Sequence, residues 1–126
     1  MPNFSPEDLD TLARTDEVGI QPTRKSGDAG RRKTIWLVVD NGDAYVRSVR
    51  GTAGAWYKAV LASGHATLHA GRASWPIQLE LVTDPAVVAR VSDALRQKYE
   101  QRWPGPTASM LRDDVLPTTL RVTPTS

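Results

Sequence analysis

The alternation of apolar and polar residues along this chain predicts short strands joined by tight turns. The clearest hairpin runs over KTIWLVVD (33–40) and DAYVRSVR (43–50), which flank Asn41-Gly42. Asn-Gly supplies the positive φ angles that a type I′ turn requires. The first arm is apolar on both faces, as is typical of a strand that is covered on both sides. A second hairpin is predicted over residues 65–70 and 74–83.

Helices are predicted before, between and after these hairpins. Ser5-Pro6 with Asp8 forms a capping-box pattern at the start of the first one. Gly64 is placed to end the second, and the run Trp103-Pro104-Gly105-Pro106 breaks the third. The predicted helices cover residues 5–14, 54–63 and 85–102.

These elements predict an α+β fold that is mainly β. Six short strands, linked mostly by hairpins, favour an antiparallel sheet or barrel with two or three flanking helices. The strands fall within about 17–83 and 117–124. A length of 126 residues fits one domain over residues 1–126.

Composition excludes several kinds of site. The chain has no cysteine and two histidines, His65 and His69, so thiolate sites and three-histidine metal sites are impossible within one chain. We therefore expect no metal. No apolar run reaches the roughly 18 residues that a membrane helix needs. The first residues do not resemble a signal peptide, so the sequence predicts a cytoplasmic protein without a membrane partner.

The net charge of +2 conceals a local excess of bases. Residues 22–58 contain eight bases and three acids, which favours an anionic ligand. Binding of nucleic acid is a weaker hypothesis. Residues 24–33 hold five bases against one acid, but the whole chain is only slightly basic and its aromatic residues lie mostly in apolar strands or helices.

The strongest candidate for chemistry is the turn RSVRGTAG (47–54), which joins a strand to a helix. Arg50, Thr52 and the first amides of the helix could hold a phosphate, with Gly51 allowing the backbone to approach it. Arg47 precedes them on the strand. The alternative is an ordinary turn, in which the glycines serve geometry and the arginines serve solubility.

Two further groups could complete such a site. Basic and hydroxyl residues in segments 23–27 and 31–34 could bind a second anionic group, or could form a flexible, solvated loop. Tryptophans at 36, 56 and 75 with Tyr57 could stack on a planar ring, or could belong to the core.

The chain resembles the deazaflavin-dependent nitroreductase group of the flavin-binding split β-barrel superfamily, which also contains the pyridoxamine phosphate oxidases. The pattern that carries this resemblance is RKSG (24–27), RKT (32–34), an apolar strand, DNGD (40–43), a returning strand and GAWY (54–57). The segment 35–60, with its RSVRG turn, is closer still to a small uncharacterised bacterial branch of that superfamily.

The resemblance implies a split barrel of about six antiparallel strands and a homodimer with cofactor sites at the subunit interface. The cofactor would be FMN or the deazaflavin, and the activity would be that of an oxidoreductase acting on a small organic substrate. For such an oxidoreductase, Tyr57 is the residue expected to donate a proton or a hydrogen bond to the substrate. The residues expected to contact the cofactor are Arg24, Lys25, Ser26, Arg32, Thr34, Trp36, Arg47, Arg50, Gly51, Thr52 and Trp56.

A different hypothesis is a cofactor-free protein that binds or cyclises a hydrophobic small molecule in the same barrel pocket. The aromatic side chains would serve this function as well. In either case we expect a homodimer, because Trp75, Ile77, Leu79 and Leu81 with the long helix offer more apolar surface than a small domain easily hides.

Overall fold

The computed structural model describes residues 3–125, which form one antiparallel sheet of seven strands with four α-helices. The α-helices are α1 (Pro6–Arg14), α2 (Ala55–Ser63), α3 (Pro85–Leu95) and α4 (Pro104–Met110). The strands are β1 (Val18–Pro22), β2 (Lys33–Ile35), β3 (Leu37–Asp40), β4 (Asp43–Val46), β5 (His65–Ala70), β6 (Ala73–Leu81) and β7 (Leu120–Pro124).

The sheet closes almost into a barrel because its two edge strands are neighbours in sequence. The strand order is β2-β1-β5-β6-β7-β4-β3, and Trp36 alone separates β2 from β3. The predicted class, an α+β antiparallel barrel, is confirmed. The count of six strands was one too few, since the apolar run 33–40 changes partner at Trp36: β2 pairs with β1, and β3 pairs with β4.

Local turn and cap signals produced the structures that they predict. Asn41 and Gly42 have φ angles of 50° and 82°, as the hairpin between β3 and β4 requires. Ser5 Oγ accepts a hydrogen bond from the Asp8 amide at 3.1 Å and caps α1. Gly64 adopts the left-handed conformation, with φ 77°, that ends α2.

The predicted long helix is interrupted, and a fourth helix follows it. α3 continues as a π-helical turn over Arg96–Glu100. Where the prolines predicted only a break, Pro104 instead begins α4, since the first turn of a helix tolerates proline. Residues of this helix line part of a cleft that is described below.

Two apolar clusters pack on opposite faces of β3 and β4, which explains why the first hairpin arm is apolar throughout. Leu37 faces the barrel interior with residues of β1, β5, β6 and α2. Val38 and Tyr45 face outward and share a cluster with Val91 of α3. Ile77 is buried and Trp75 and Leu79 are partly buried in the interior cluster. Most of the β6 face expected to lie in a dimer interface is therefore covered within the chain.

Candidate functional site

A cleft of about 1230 Å³ opens where the barrel is split. Pairing between β3 and β4 ends at Leu37 and Val46. Beyond this pair the chain segments 33–36 and 47–50 separate, and both line the cleft. If the register of β3 and β4 continued, Arg50 would stand opposite Lys33. The split thus brings residues of both basic segments of the sequence to the lining of one cleft.

The loop between β1 and β2 is ordered by its own backbone. Thr23 and Ala29 form a β-bridge, and the Arg24 amide donates to the Asp28 carbonyl at 2.8 Å. This turn places Arg24 in the cleft wall and leaves Lys25 and Ser26 at the exposed tip. Ser26 Oγ donates to the Asp28 carboxylate at 3.1 Å.

The chain entering β2 sends successive basic side chains in different directions. Arg31 and Lys33 line the cleft, as does Thr34. Arg32 lies over β1 instead, where a Cβ on Gly19 would come within 2.7 Å of its Nε. The pKa of His69 on that side of the sheet is lowered, mainly by burial and also by the Arg32 charge.

The opposite wall contains Arg50 and the start of α2. Gly54, Ala55 and Trp56 line the cleft, so the first turn of the helix faces it. Gly54 caps this helix without a side chain, and the amides of the first turn have no helical acceptor. Gly51, with φ 65°, and the exposed Thr52 belong to the preceding turn and are not part of the cleft wall among the described residues.

Arg47 was expected to contact the cofactor, but its side chain is directed into the protein. Its residue is 1% exposed, and its guanidinium donates to Thr119 Oγ1 (2.8 Å), Ser92 Oγ (3.0 Å), Val88 O (2.8 Å) and Met110 O (3.2 Å). The residue borders the cleft, but its polar atoms are engaged by α3, α4 and the start of β7. These contacts give it a structural role in place of the predicted cofactor contact.

The two aromatic residues of the Trp-Tyr pair on α2 have different surroundings. Trp56 lines the cleft, whereas Tyr57 is buried in the barrel core at 4% exposure. Burial raises the pKa of the Tyr57 phenol. Because this side chain lies outside the cleft wall among the described residues, we do not retain it as the proton donor.

Trp36 lines the cleft, and a stacking contact fixes the position of its ring. Its ring stacks on that of Tyr99 with a centroid distance of 3.9 Å and an angle of 7°. Trp103, at the start of α4, lies 6.0 Å from it and also lines the cleft. Trp75 is elsewhere: its indole donates to the Asp8 carboxylate at 3.1 Å.

The basic residues of the cleft lack acidic partners. Within residues 3–125, none of the five bases that line it forms an ion pair. Over the same described residues, six arginines outside the cleft form an ion pair and five other bases do not, namely Lys25, Arg32, Lys58, Arg72 and Lys98. The five bases that line the cleft are Arg24, Arg31, Lys33, Arg47 and Arg50.

Sequence reasoning missed several residues of the cleft. Arg31 and Lys33 line it although the sequence indicated Arg32, and no alternating pattern separates them, since Thr34 lines the cleft as well. Nothing in the sequence pattern assigned Asp16, Glu17 or Trp103 to the site, since they come together only when β1 and α4 meet at the split.

The described part of the chain contains no group of three or more His, Asp or Glu side chains that could hold a metal ion. Across residues 3–125, no helix has both the length and the apolar character that crossing a membrane requires.

Comparisons with known proteins place the chain in a family. The sequence model of DUF2255, described as an uncharacterised protein conserved in bacteria, matches residues 8–122. No curated protein matches the chain.

Solved structures with the same fold share little sequence with this chain. The conserved hypothetical protein Rv2991 from Mycobacterium tuberculosis has a TM-score of 0.72 at 13% identity, covering 99% of this chain and 83% of that one. HutZ, the heme storage protein from Vibrio cholerae, has a TM-score of 0.69 at 9% identity, covering 98% and 92%. An F420-H2 dependent reductase has a TM-score of 0.61 at 17% identity, covering 84% and 92%. These similarities show that the chain shares the fold of these proteins.

Proposed function

Because this chain belongs to the DUF2255 family and has the fold of the flavin-binding split-barrel superfamily, we propose that its cleft binds FMN or a deazaflavin. The protein would then be an oxidoreductase acting on a small organic substrate. The observation that carries this proposal is the set of cleft bases without acidic partners. Such a set favours a ligand with anionic groups, which both cofactors have.

The two walls of the cleft suggest how the anionic part of the cofactor is held. Arg24, Arg31 and Lys33 offer charged donors on the β1–β2 side. Arg50 and the free amides at the start of α2 offer donors on the other side. An anionic group between these walls would be contacted from both. When bound, the cofactor supplies the hydride chemistry, and the chain supplies binding, orientation and charge.

Titration of the purified protein with FMN and with the deazaflavin, followed by cofactor fluorescence, tests the proposal. We expect Arg50→Ala to weaken binding by about 1.5–3 kcal/mol, which is roughly 10- to 150-fold in Kd, because a charge-assisted contact is lost. Arg72→Ala is the matched control, since Arg72 is an exposed arginine in the β5–β6 turn, outside the cleft. Equal effects of the two variants, or no binding of either cofactor, would refute the assignment.

The aromatic wall supports a second candidate, a cofactor-free protein that binds or cyclises a hydrophobic small molecule. Trp36, Trp56 and Trp103 would line its site. In that case Arg50→Ala would leave ligand binding almost unchanged. Because a structural neighbour is a heme storage protein, the absorbance spectrum is also recorded after incubation with heme.

A further inference from the structure

The two ends of the cleft differ in their chemistry. In the β1–β2 ribbon Ile20 pairs with Lys33 and Val18 pairs with Ile35. The basic loop therefore lies beyond one end of the ribbon, whereas Glu17 and Trp36 lie at the other. Trp36 is three positions after Lys33, a spacing of about 10 Å along an extended chain. We call the region around Glu17, Trp36 and Trp103 the aromatic end.

The aromatic end presents ring surfaces whose positions are fixed. Tyr99 is buried and donates from its hydroxyl to the Asp16 carbonyl at 2.7 Å. This anchored ring supports Trp36 from behind through the parallel stack. Trp103 is 37% exposed, a high value for a large apolar side chain, and it shares the cleft with Trp36. Trp36 is half-buried, and the Arg102 guanidinium, which is paired with Asp16, lies 4.4 Å from the centroid of the Trp103 ring. Supported indoles with ring surface open to a cleft suit a planar ligand.

The unpaired charge that faces the cleft at this end is negative. Asp16 is neutralised by Arg102, whose two terminal nitrogens donate to its carboxylate at 2.8 and 2.7 Å. Lys98 donates to the carbonyls of Leu12 (3.2 Å) and Leu37 (2.7 Å), and its ammonium lies 5.1 Å from the centroid of the Tyr99 ring. It is not part of the cleft lining among the described residues. Glu17 is exposed, lines the cleft and forms no ion pair with any base of the described chain.

The cleft has room for a second ligand. Its volume of about 1230 Å³ exceeds the roughly 300–1,000 Å³ that is usual for a site that takes one small molecule. An anionic group held among Arg24, Arg31, Lys33 and Arg50 would leave the aromatic end free.

We propose that the aromatic end is a separate subsite for a planar organic cation, a ring that bears a positively charged nitrogen. The ring stacks on Trp36 and Trp103, and its charge faces the Glu17 carboxylate. Aromatic faces attract such cations, and most strongly those of tryptophan. The assignment rests on the proposed function in one respect: the anionic cofactor is taken to occupy the basic end.

Three ring compounds of similar size and different charge test this subsite on the full chain without cofactor. They are N-methylnicotinamide (cationic), nicotinamide (neutral) and nicotinate (anionic), with binding measured from the shifts of the tryptophan indole NMR signals. At the Trp36 and Trp103 signals we expect the cation to bind at least several-fold more tightly than the neutral compound. The anion can also enter the empty basic end, so its affinity is compared only at these two signals, where it should be the lowest. The largest shifts should belong to Trp36 and Trp103.

Variants separate the charge effect from the stacking effect. Glu17→Gln should bring the ratio of cation to neutral affinity close to one, while Glu7→Gln, at an exposed acid on α1, should leave it unchanged. Trp103→Leu should weaken the binding of all three compounds. Equal affinities for the three probes, or an unchanged ratio in Glu17→Gln, would overturn the proposal.

The result of the ring-probe titrations can be distinguished from the result of the cofactor titration. Loss of charge preference among the ring probes with intact FMN or deazaflavin binding would remove only the subsite. Preference for the cation in a protein that binds neither cofactor would remove only the flavin assignment.

Discussion

Arg47 carries a positive charge into the interior with four neutral hydrogen-bond acceptors around it. Burial, with a contribution from Arg96, lowers the pKa of its guanidinium to about 10, so the side chain remains charged at neutral pH. Its contacts join α3, α4 and the start of β7. Since α4 also forms part of the cleft wall, the arginine positions that wall without contacting a ligand through its donors.

Removing this side chain should destabilise the fold strongly. Arg47→Ala leaves several buried acceptors without donors, each at a cost of about 1–3 kcal/mol, and we expect a total loss of at least about 3 kcal/mol. Urea unfolding measures the effect. Arg50 is three positions after Arg47 and is exposed, so Arg50→Ala should change the free energy of unfolding by about 0.5 kcal/mol or less. Similar midpoints for the two variants would contradict the structural role of Arg47.

The lowered pKa of Lys98 predicts that the stability of the fold rises with pH in the alkaline range. Burial lowers the pKa of its ammonium to about 8, although Asp16 opposes the shift. Between about pH 8 and 10.5 the unfolded chain therefore binds more protons at this residue than the folded chain does. Stability arising from Lys98 should rise with pH across that window, by at most about 1.4 kcal/mol per pH unit.

Comparison with Lys98→Met isolates this contribution from the titration of other groups. The free energy of unfolding of the wild type, minus that of the variant, should increase from pH 7.5 to 10. A difference that stays constant or falls would show that Lys98 is not buried as a charged group.

At the scale of elements, the start of α2 depends on one close approach. A Cβ on Gly54 would collide with Ser48 Oγ, which itself donates to the Gly51 carbonyl at 2.8 Å. The φ of Gly54 is −61°, so the constraint is lack of space and not backbone conformation. The turn before α2 and the cleft wall at its first residues are held together by this contact.

Gly54→Ala should therefore destabilise the protein by about 1–3 kcal/mol, since overpacking forces the backbone to move. It should also weaken binding of the anionic cofactor, because the amides of α2 shift. Gly105→Ala in α4 is the control: nothing lies within 4 Å of a Cβ there, and alanine favours the helix, so stability should be unchanged or slightly higher. Thermal unfolding and the cofactor titration measure both effects, and wild-type values for Gly54→Ala would be contrary to this account.

The sequence predicted those elements whose signals are local. The Asn41-Gly42 turn, the Ser5 cap and the Gly64 stop each act within a few residues, and each is confirmed. The change of partner at Trp36 was not predictable, because it depends on β1 and β4, which lie on either side in sequence and belong to opposite ends of the sheet.

The candidate site was predictable only in those parts that depend on a local feature of the sequence. A local excess of bases indicated an anion site, and Arg24, Thr34, Trp36, Arg50 and Trp56 do line the cleft. Only the packing of α3 and α4 reveals that Arg47 turns inward. Only the barrel split brings residues of β1 and α4 to the same end of the cleft.

At the scale of the whole molecule, the chain leaves apolar side chains exposed beside the cleft. Val49 is 45% exposed and Trp103 is 37% exposed, and both line it. Exposed apolar side chains that line one cleft are candidates for an interaction surface, whereas single exposed apolar residues are ordinary. We keep the prediction of a homodimer and place its interface at this edge of the cleft, in place of the β6 face, most of which is buried in the barrel.

Sedimentation equilibrium at micromolar concentration should give twice the chain mass of 13.8 kDa. Val49→Asp should shift the protein towards the monomer, because burying an unpaired carboxylate in an interface is costly. Leu61→Asp is a matched control, since Leu61 is 48% exposed on α2 and does not line the cleft among the described residues. If both variants remain dimeric, the interface lies elsewhere. If the unsubstituted chain is monomeric, the cleft must bind its ligand with the residues of one chain alone.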